Sequence, residues 1–107
     1  MSIQVLTNEK DFRDTLEKDA SFFLLKNSLT CPISSAAHQE YEKFSEVSSL
    51  PCYVLHVQEA RDLSQSIAKE FSVRHESPQA LLFQNGEVIW NDSHGSITKQ
   101  KLVQVGQ

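Results

Sequence analysis

The run Phe22-Phe23-Leu24-Leu25-Lys26 has the length and composition of a buried strand, and the residues directly after it limit the folds open to the chain. Asn27-Ser28-Leu29-Thr30 reads as a loop, and Thr30-Cys31-Pro32-Ile33-Ser34 as the opening of a helix. Proline is favoured at the first helical position because its missing N–H would be unpaired there anyway, so Pro32 places Cys31 at or near the N-cap. A sulfur in that place faces free backbone N–H groups, those of Ile33 and Ser34, and the positive end of the helix dipole. Both favour thiolate, the form that attacks disulfides, so the sequence predicts a thiol of lowered pKa at a strand-to-helix turn. The competing reading is a small, inert, buried cysteine, which the adjacent proline disfavours.

Redox sites of this type usually carry Cys-x-x-Cys, and Ser34 occupies the second position. The predicted chemistry is therefore monothiol, with Cys31 as nucleophile and Thr30, Pro32, Ile33 and Ser34 as its support. Cys52 opens a predicted strand and reads as a core or strand-edge thiol. His38, His56, His75 and His94 are scattered without metal-ligand spacing, and no metal is assigned. His38 lies two helical turns beyond Cys31 and is expected to be remote from it. His75, three residues before Pro78, is open to two readings: a cation lowering the thiol pKa, or an exposed loop residue.

Around this turn the pattern alternates. Ile3, Val5 and Leu6 suggest a first strand, and Thr7-Asn8-Glu9-Lys10 begins a helix carrying Phe12, Leu16 and Ala20. After the strand at 22–26, Ile33, Ala37, Tyr41 and Phe44 recur on one helical face, ending before Pro51. Cys52 to Val57 reads as a central strand, and a helix is predicted from about Glu59 to Phe71 with Leu63, Ile67, Ala68 and Phe71. Ala80-Leu81-Leu82-Phe83 and Val88-Ile89-Trp90 flank Asn85-Gly86, a strong hairpin signal. A last helix is predicted from about Ser96 to Val105. The order β-α-β-α-β-α-β-β-α is that of an α/β thioredoxin-like fold, a mixed central sheet flanked by helices.

At 107 residues a single domain spanning 1–107 is expected. Two cysteines, no basic leader in Met1-Ser2-Ile3-Gln4 and no long apolar stretch point to a cytoplasmic, reducing compartment. A formal charge of −4, from 14 acidic and 10 basic residues spread along the chain, gives no reason to expect nucleic acid or membrane as partner. A monomer is expected.

Ser77-Pro78 lies immediately before the first hairpin strand, where proline would interrupt a ladder, and a cis peptide would make sense of it. In thioredoxin-like folds a cis-proline at this place packs beside the nucleophilic cysteine, and the free backbone of the preceding residue pairs with substrate. The chain also resembles a specific family, the monothiol bacilliredoxins of low-GC Gram-positive bacteria (bacilliredoxin C, YtxJ-like). The resemblance covers nearly the whole sequence. It is carried by Leu24-Leu25-Lys26, Thr30-Cys31-Pro32-Ile33-Ser34, Val57-Gln58-Glu59, His75-Glu76-Ser77-Pro78-Gln79 and Asp92-Ser93-His94-Gly95-Ser96-Ile97-Thr98. The Thr-Cys-Pro-Ile-Ser and His-Glu-Ser-Pro-Gln strings are specific as a pair. Gly95 stands where the family is expected to carry tryptophan, which departs from any ring stacking on a ligand there.

The resemblance implies removal of bacillithiol from S-bacillithiolated proteins. Cys31 would attack the mixed disulfide, take the bacillithiol and release the protein thiol. Bacillithiol is then a co-substrate, with no tightly bound cofactor, and the partners are S-bacillithiolated proteins and a low-molecular-weight thiol. Ser77, Pro78 and His75 are candidate substrate contacts. Ser96, as a cap of the last helix, would help a helix N-terminus receive a carboxylate of the small thiol. Two other classes stay open: an iron–sulfur cluster carrier using one cysteine per subunit plus a small thiol, and a redox-inactive module that holds an extended peptide in the Ser77-Pro78 groove.

Overall fold

The Asn8 side chain accepts the Asp11 N–H at 2.9 Å and so starts the first helix, which ends as Asp19 returns to extended backbone. In the computed structural model, which describes residues 3–106, the later elements alternate as the sequence predicts. Met1 and Ser2, part of the segment read for a leader, and Gln107, the last residue of the expected domain, lie outside the described residues. The strands are β1 (Gln4–Val5), β2 (Ser21–Asn27), β3 (Cys52–His56), β4 (Gln79–Gln84) and β5 (Glu87–Ser93). The helices are α1 (Glu9–Lys18), α2 (Pro32–Ser45), α3 (Arg61–Glu70) and α4 (Lys99–Val105), with a 3-10 turn at His94–Ser96.

One five-stranded sheet runs in the order β1-β3-β2-β4-β5. β1, β3 and β2 are parallel, β4 is antiparallel to β2, and β5 to β4. The hairpin turn falls where Asn85-Gly86 predicts it. Both residues adopt positive φ, 53° and 80°, as a two-residue turn between twisted strands requires.

The alternation of β2 builds two cores. Phe22 and Leu24 face a cluster containing Phe12, Leu63, Ile67 and Phe83, in which the rings of Phe22 and Phe83 stack at 4.7 Å. Phe23 and Leu25 face the other side, with Ala37, Tyr41 and Phe44 of α2 and Leu102 of α4. Lys26 continues the first face and is fully buried, which the apolar pattern of the run does not announce. Among the described residues, no helix is long and apolar enough to cross a membrane.

The last helix differs from expectation. Ser96 does not cap it, because Ile97 is buried in the core and holds the chain extended between the 3-10 turn and α4. Thr98 is the cap, accepting the Lys101 N–H at 3.1 Å, and Glu40 of α2 accepts the Lys99 N–H at 3.0 Å. The anion site expected at this terminus is thus filled from within the chain.

Candidate active site

β2 and β3 run parallel and β4 runs against them, so the C-terminal ends of β2 and β3 and the N-terminal end of β4 share one edge of the sheet. Three loops leave from that edge: Asn27 to Cys31, Val57 to Ala60, and the segment ending in Ser77-Pro78. The 3-10 turn joins them, because the His94 N–H donates to the Pro78 carbonyl at 3.0 Å and the turn packs on α2.

Cys31 is the N-cap of α2, in extended backbone with φ −101°, and Pro32 is the first helical residue. The half-buried thiol makes no capping hydrogen bond of its own, yet its pKa lies below the ordinary thiol value. The Ser34 N–H contributes most, then the Ile33 N–H; desolvation opposes them, and the Ser34 hydroxyl adds the least. Thr30, Pro32 and Ile33 are exposed around the sulfur, and Leu29 and Ile33 present more than half of their surface to solvent.

Ser34 is wholly buried, and its hydroxyl accepts the Ser28 N–H at 3.2 Å. The position that would hold a resolving thiol instead ties the end of β2 to the first turn of α2. The other cysteine gives no substitute. Cys52 is buried at the start of β3, its Sγ 3.6 Å from the Leu50 carbonyl, and burial pushes its pKa up. Because β3 is parallel to β2, Cys52 lies at the opposite end of the sheet from the Cys31 loop.

The Ser77-Pro78 peptide is cis, as the sequence suggests. The Ser77 hydroxyl is buried and has no hydrogen-bond partner among the described residues. Of the two roles open to it, His75 takes that of an exposed loop residue. Its Nδ1 lies 3.4 Å from Lys26 Nζ and 3.2 Å from Ser64 Oγ, and the residue as a whole is exposed. Burial, and then the Lys26 charge, push its pKa below the ordinary histidine value, which works against a positive charge beside the thiol. Ser96 sits exposed in the 3-10 turn. A Cβ placed on Gly95 would meet open space, so the turn presents bare backbone where the family is expected to place a ring.

Two contributors carry no assigned role in the sequence reading. Lys26 donates to the Ser64 carbonyl at 3.0 Å, with its pKa pushed down to about 8 by burial. Gln58, after β3, binds the loop that precedes Cys31. Its Oε1 accepts the Leu29 N–H at 3.0 Å, and its Nε2 donates to Ser28 Oγ at 2.8 Å and Thr30 Oγ1 at 3.4 Å. The lysine is visible as one charge on the apolar face of a buried strand. Nothing local marks the glutamine, whose partners lie about thirty residues away.

A single helix-capping thiol of lowered pKa lies at the sheet edge that also carries the cis Ser77-Pro78 peptide, and comparison with known proteins agrees. A thioredoxin-fold protein described as an oxidoreductase is 42% identical, with a TM-score of 0.93, over 98% of this chain and 94% of that one. A thioredoxin from Schistosoma mansoni superposes with a TM-score of 0.81 at 12% identity, covering 98% of this chain and 93% of that one. A mutant thioredoxin from Halobacterium salinarum gives 0.79 at 16% identity, covering 98% and 88%. These two share the fold alone. Residues 4–102 match the family described as monothiol bacilliredoxin BrxC. Family and fold together indicate a thiol oxidoreductase, and the chain belongs to the monothiol bacilliredoxins.

Proposed function

We propose that this protein removes bacillithiol from S-bacillithiolated protein cysteines. The Cys31 thiolate attacks the bacillithiol sulfur of the mixed disulfide. The Cys31–bacillithiol S–S bond forms as the protein–bacillithiol bond breaks, and the electron pair leaves on the protein thiolate, which takes a proton from solvent. No net oxidation occurs in this step. The observation that carries the reading is the pairing of an activated Cys31 with a buried Ser34 at the resolving position, which leaves the adduct on Cys31 for an external thiol to remove.

Other parts of the site support it. The amides of Ser34 and Ile33 favour the thiolate before attack. Among the described residues the Ser77 backbone makes no hydrogen bond, which leaves it free to pair with an extended substrate chain beside Cys31. Leu29 and Ile33 offer apolar surface on the rim that would exclude water from the exchanging sulfurs. The reaction is placed in the cytoplasm, where the thiol stays reduced between turnovers.

Mass spectrometry of the protein after exposure to a protein–bacillithiol mixed disulfide tests the proposal. One bacillithiol adduct on Cys31, with release of the free protein thiol, is expected. Transfer that is equally fast from glutathione mixed disulfides would remove the bacillithiol assignment and leave a general monothiol exchange enzyme.

A further inference from the structure

We infer that Gln58 is a positioning residue for Cys31, one that sets the aim of the thiol from outside the active-site sequence. The inference deepens the reading of Cys31 as the attacking thiol.

Ser28, Leu29 and Thr30 span the gap between β2 and the N-cap of α2, and within this gap neither Leu29 nor Thr30 donates a backbone–backbone hydrogen bond among the described residues. Two side chains hold it. Ser34 accepts the Ser28 N–H, and Gln58 accepts the Leu29 N–H while donating to the Ser28 and Thr30 hydroxyls, so both ends of one carboxamide are engaged on three consecutive residues. Gln58 is itself anchored where the chain turns after β3, through the Glu59 N–H to the His56 carbonyl at 2.9 Å and the Val57 N–H to the Asn27 carbonyl at 2.8 Å. The clamp therefore connects the parallel pair β2–β3 to the residue immediately before Cys31.

The Cys31 pKa depends on amides one and two helical positions past Pro32, whose direction relative to the sulfur is fixed by how the loop enters the helix. A loop free to swing would carry the sulfur off those donors. An amide suits this task because it supplies a donor and an acceptor without a charge. A carboxylate of the same shape could still accept the Leu29 N–H and bond the Ser28 and Thr30 hydroxyls by their rotation. It would place a negative charge beside the thiolate, which disfavours ionisation.

Those two properties separate in an experiment on the Cys52→Ala protein, in which only Cys31 reacts. Iodoacetamide alkylation is followed against pH for Gln58, Gln58→Met and Gln58→Glu, with thermal unfolding measured alongside, and transfer from the mixed disulfide is measured for each. Gln58→Met should move the alkylation midpoint upward and slow transfer by about tenfold or more, as misplacement of a reacting atom does. Gln58→Glu should raise the midpoint while keeping the rate of the fully ionised thiol near that of the parent. A Gln58→Met protein that melts earlier but keeps the parent midpoint and transfer rate would reduce Gln58 to a stabilising residue. Should Gln58→Met not fold, Gln58→Glu decides: an unshifted midpoint, or a fully ionised thiol that reacts much more slowly, overturns the inference. Alkylation requires no bacillithiol, so failure here is distinct from failure of the proposed transfer reaction.

Discussion

The Ser34 hydroxyl accepts the Ser28 backbone N–H at 3.2 Å, and the same side chain contributes to lowering the Cys31 pKa. One serine thus joins the strand end to the helix start and also faces the Cys31 thiol. Its position, one helical turn on from Cys31, is where a second thiol would resolve a mixed disulfide. Ser34→Cys should therefore form an internal disulfide with Cys31 on exposure to the bacillithiol mixed disulfide. Mass spectrometry should show loss of two hydrogens in place of the adduct. Sulfur is a weak acceptor for the Ser28 N–H, so the reduced variant should lose about 1 kcal/mol of stability. A persistent Cys31 adduct with no internal disulfide would contradict the helix-start geometry.

The two cysteines should separate cleanly in reactivity. Amides at the helix start pull the Cys31 pKa down, whereas burial pushes that of Cys52 up. Alkylation of Cys31 in a Cys52→Ala background should titrate below the roughly 8.5 of a free thiol. Cys52, probed in Cys31→Ala, should react only slowly in the native protein. Cys31→Ala should abolish bacillithiol transfer, and Cys52→Ala should leave the first attack largely intact. A Cys31–Cys52 disulfide would overturn the monothiol mechanism.

The hairpin provides a control remote from the thiol. Gly86 sits at φ 80°, and a Cβ there would meet nothing within 4 Å, so any cost of substitution is conformational. Gly86→Ala should lower stability by about 1 kcal/mol. The Cys31 alkylation profile should not move, and a shift in it would show that the β4–β5 hairpin feeds into the site.

The parts of the molecule legible in the sequence are those written in local chemistry. Asn85-Gly86 specifies its turn, Pro32 specifies the helix start and so the amides that face Cys31, and Ser77-Pro78 marks a loop at the same sheet edge. The family is legible in strings that include Cys31 and Pro78. The features that escape depend on contacts between distant segments. The last helix reads from Ser96 because no local signal says that Ile97 is drawn into the core or that Glu40, on α2, will occupy the Lys99 N–H. His75 stands between two roles in the sequence because its actual partner, Lys26, lies 49 residues away. Gln58 sits inside a family-like string without a role for the same reason.

Lys26 leads to the last prediction, a gain of stability in alkali. Burial sets its pKa at about 8 against an ordinary lysine value of 10.5. Between those values the unfolded chain holds a proton that the folded chain has given up. Stability contributed here therefore rises with pH across the window, and the cost of the buried charge is fully present below it. A depression of this size corresponds to about 3 kcal/mol. Cys31, with its lowered pKa, acts in the same direction, while burial raises the pKa of Tyr41, Cys52 and Tyr53, the last to about 12, and these groups lose stability as pH rises. The Lys26 contribution is isolated by comparison with Lys26→Met, which keeps an apolar stem of similar length and removes the charge. That variant leaves the Ser64 carbonyl and His75 Nδ1 without the amine, at about 1 kcal/mol each. It should therefore be close to wild type in stability at neutral pH. Chemical denaturation at neutral pH and again near pH ~9.5 should show wild type gaining about 2 kcal/mol on the variant. A difference that stays constant between the two conditions would mean that the amine keeps an ordinary lysine pKa and is hydrated in the folded protein.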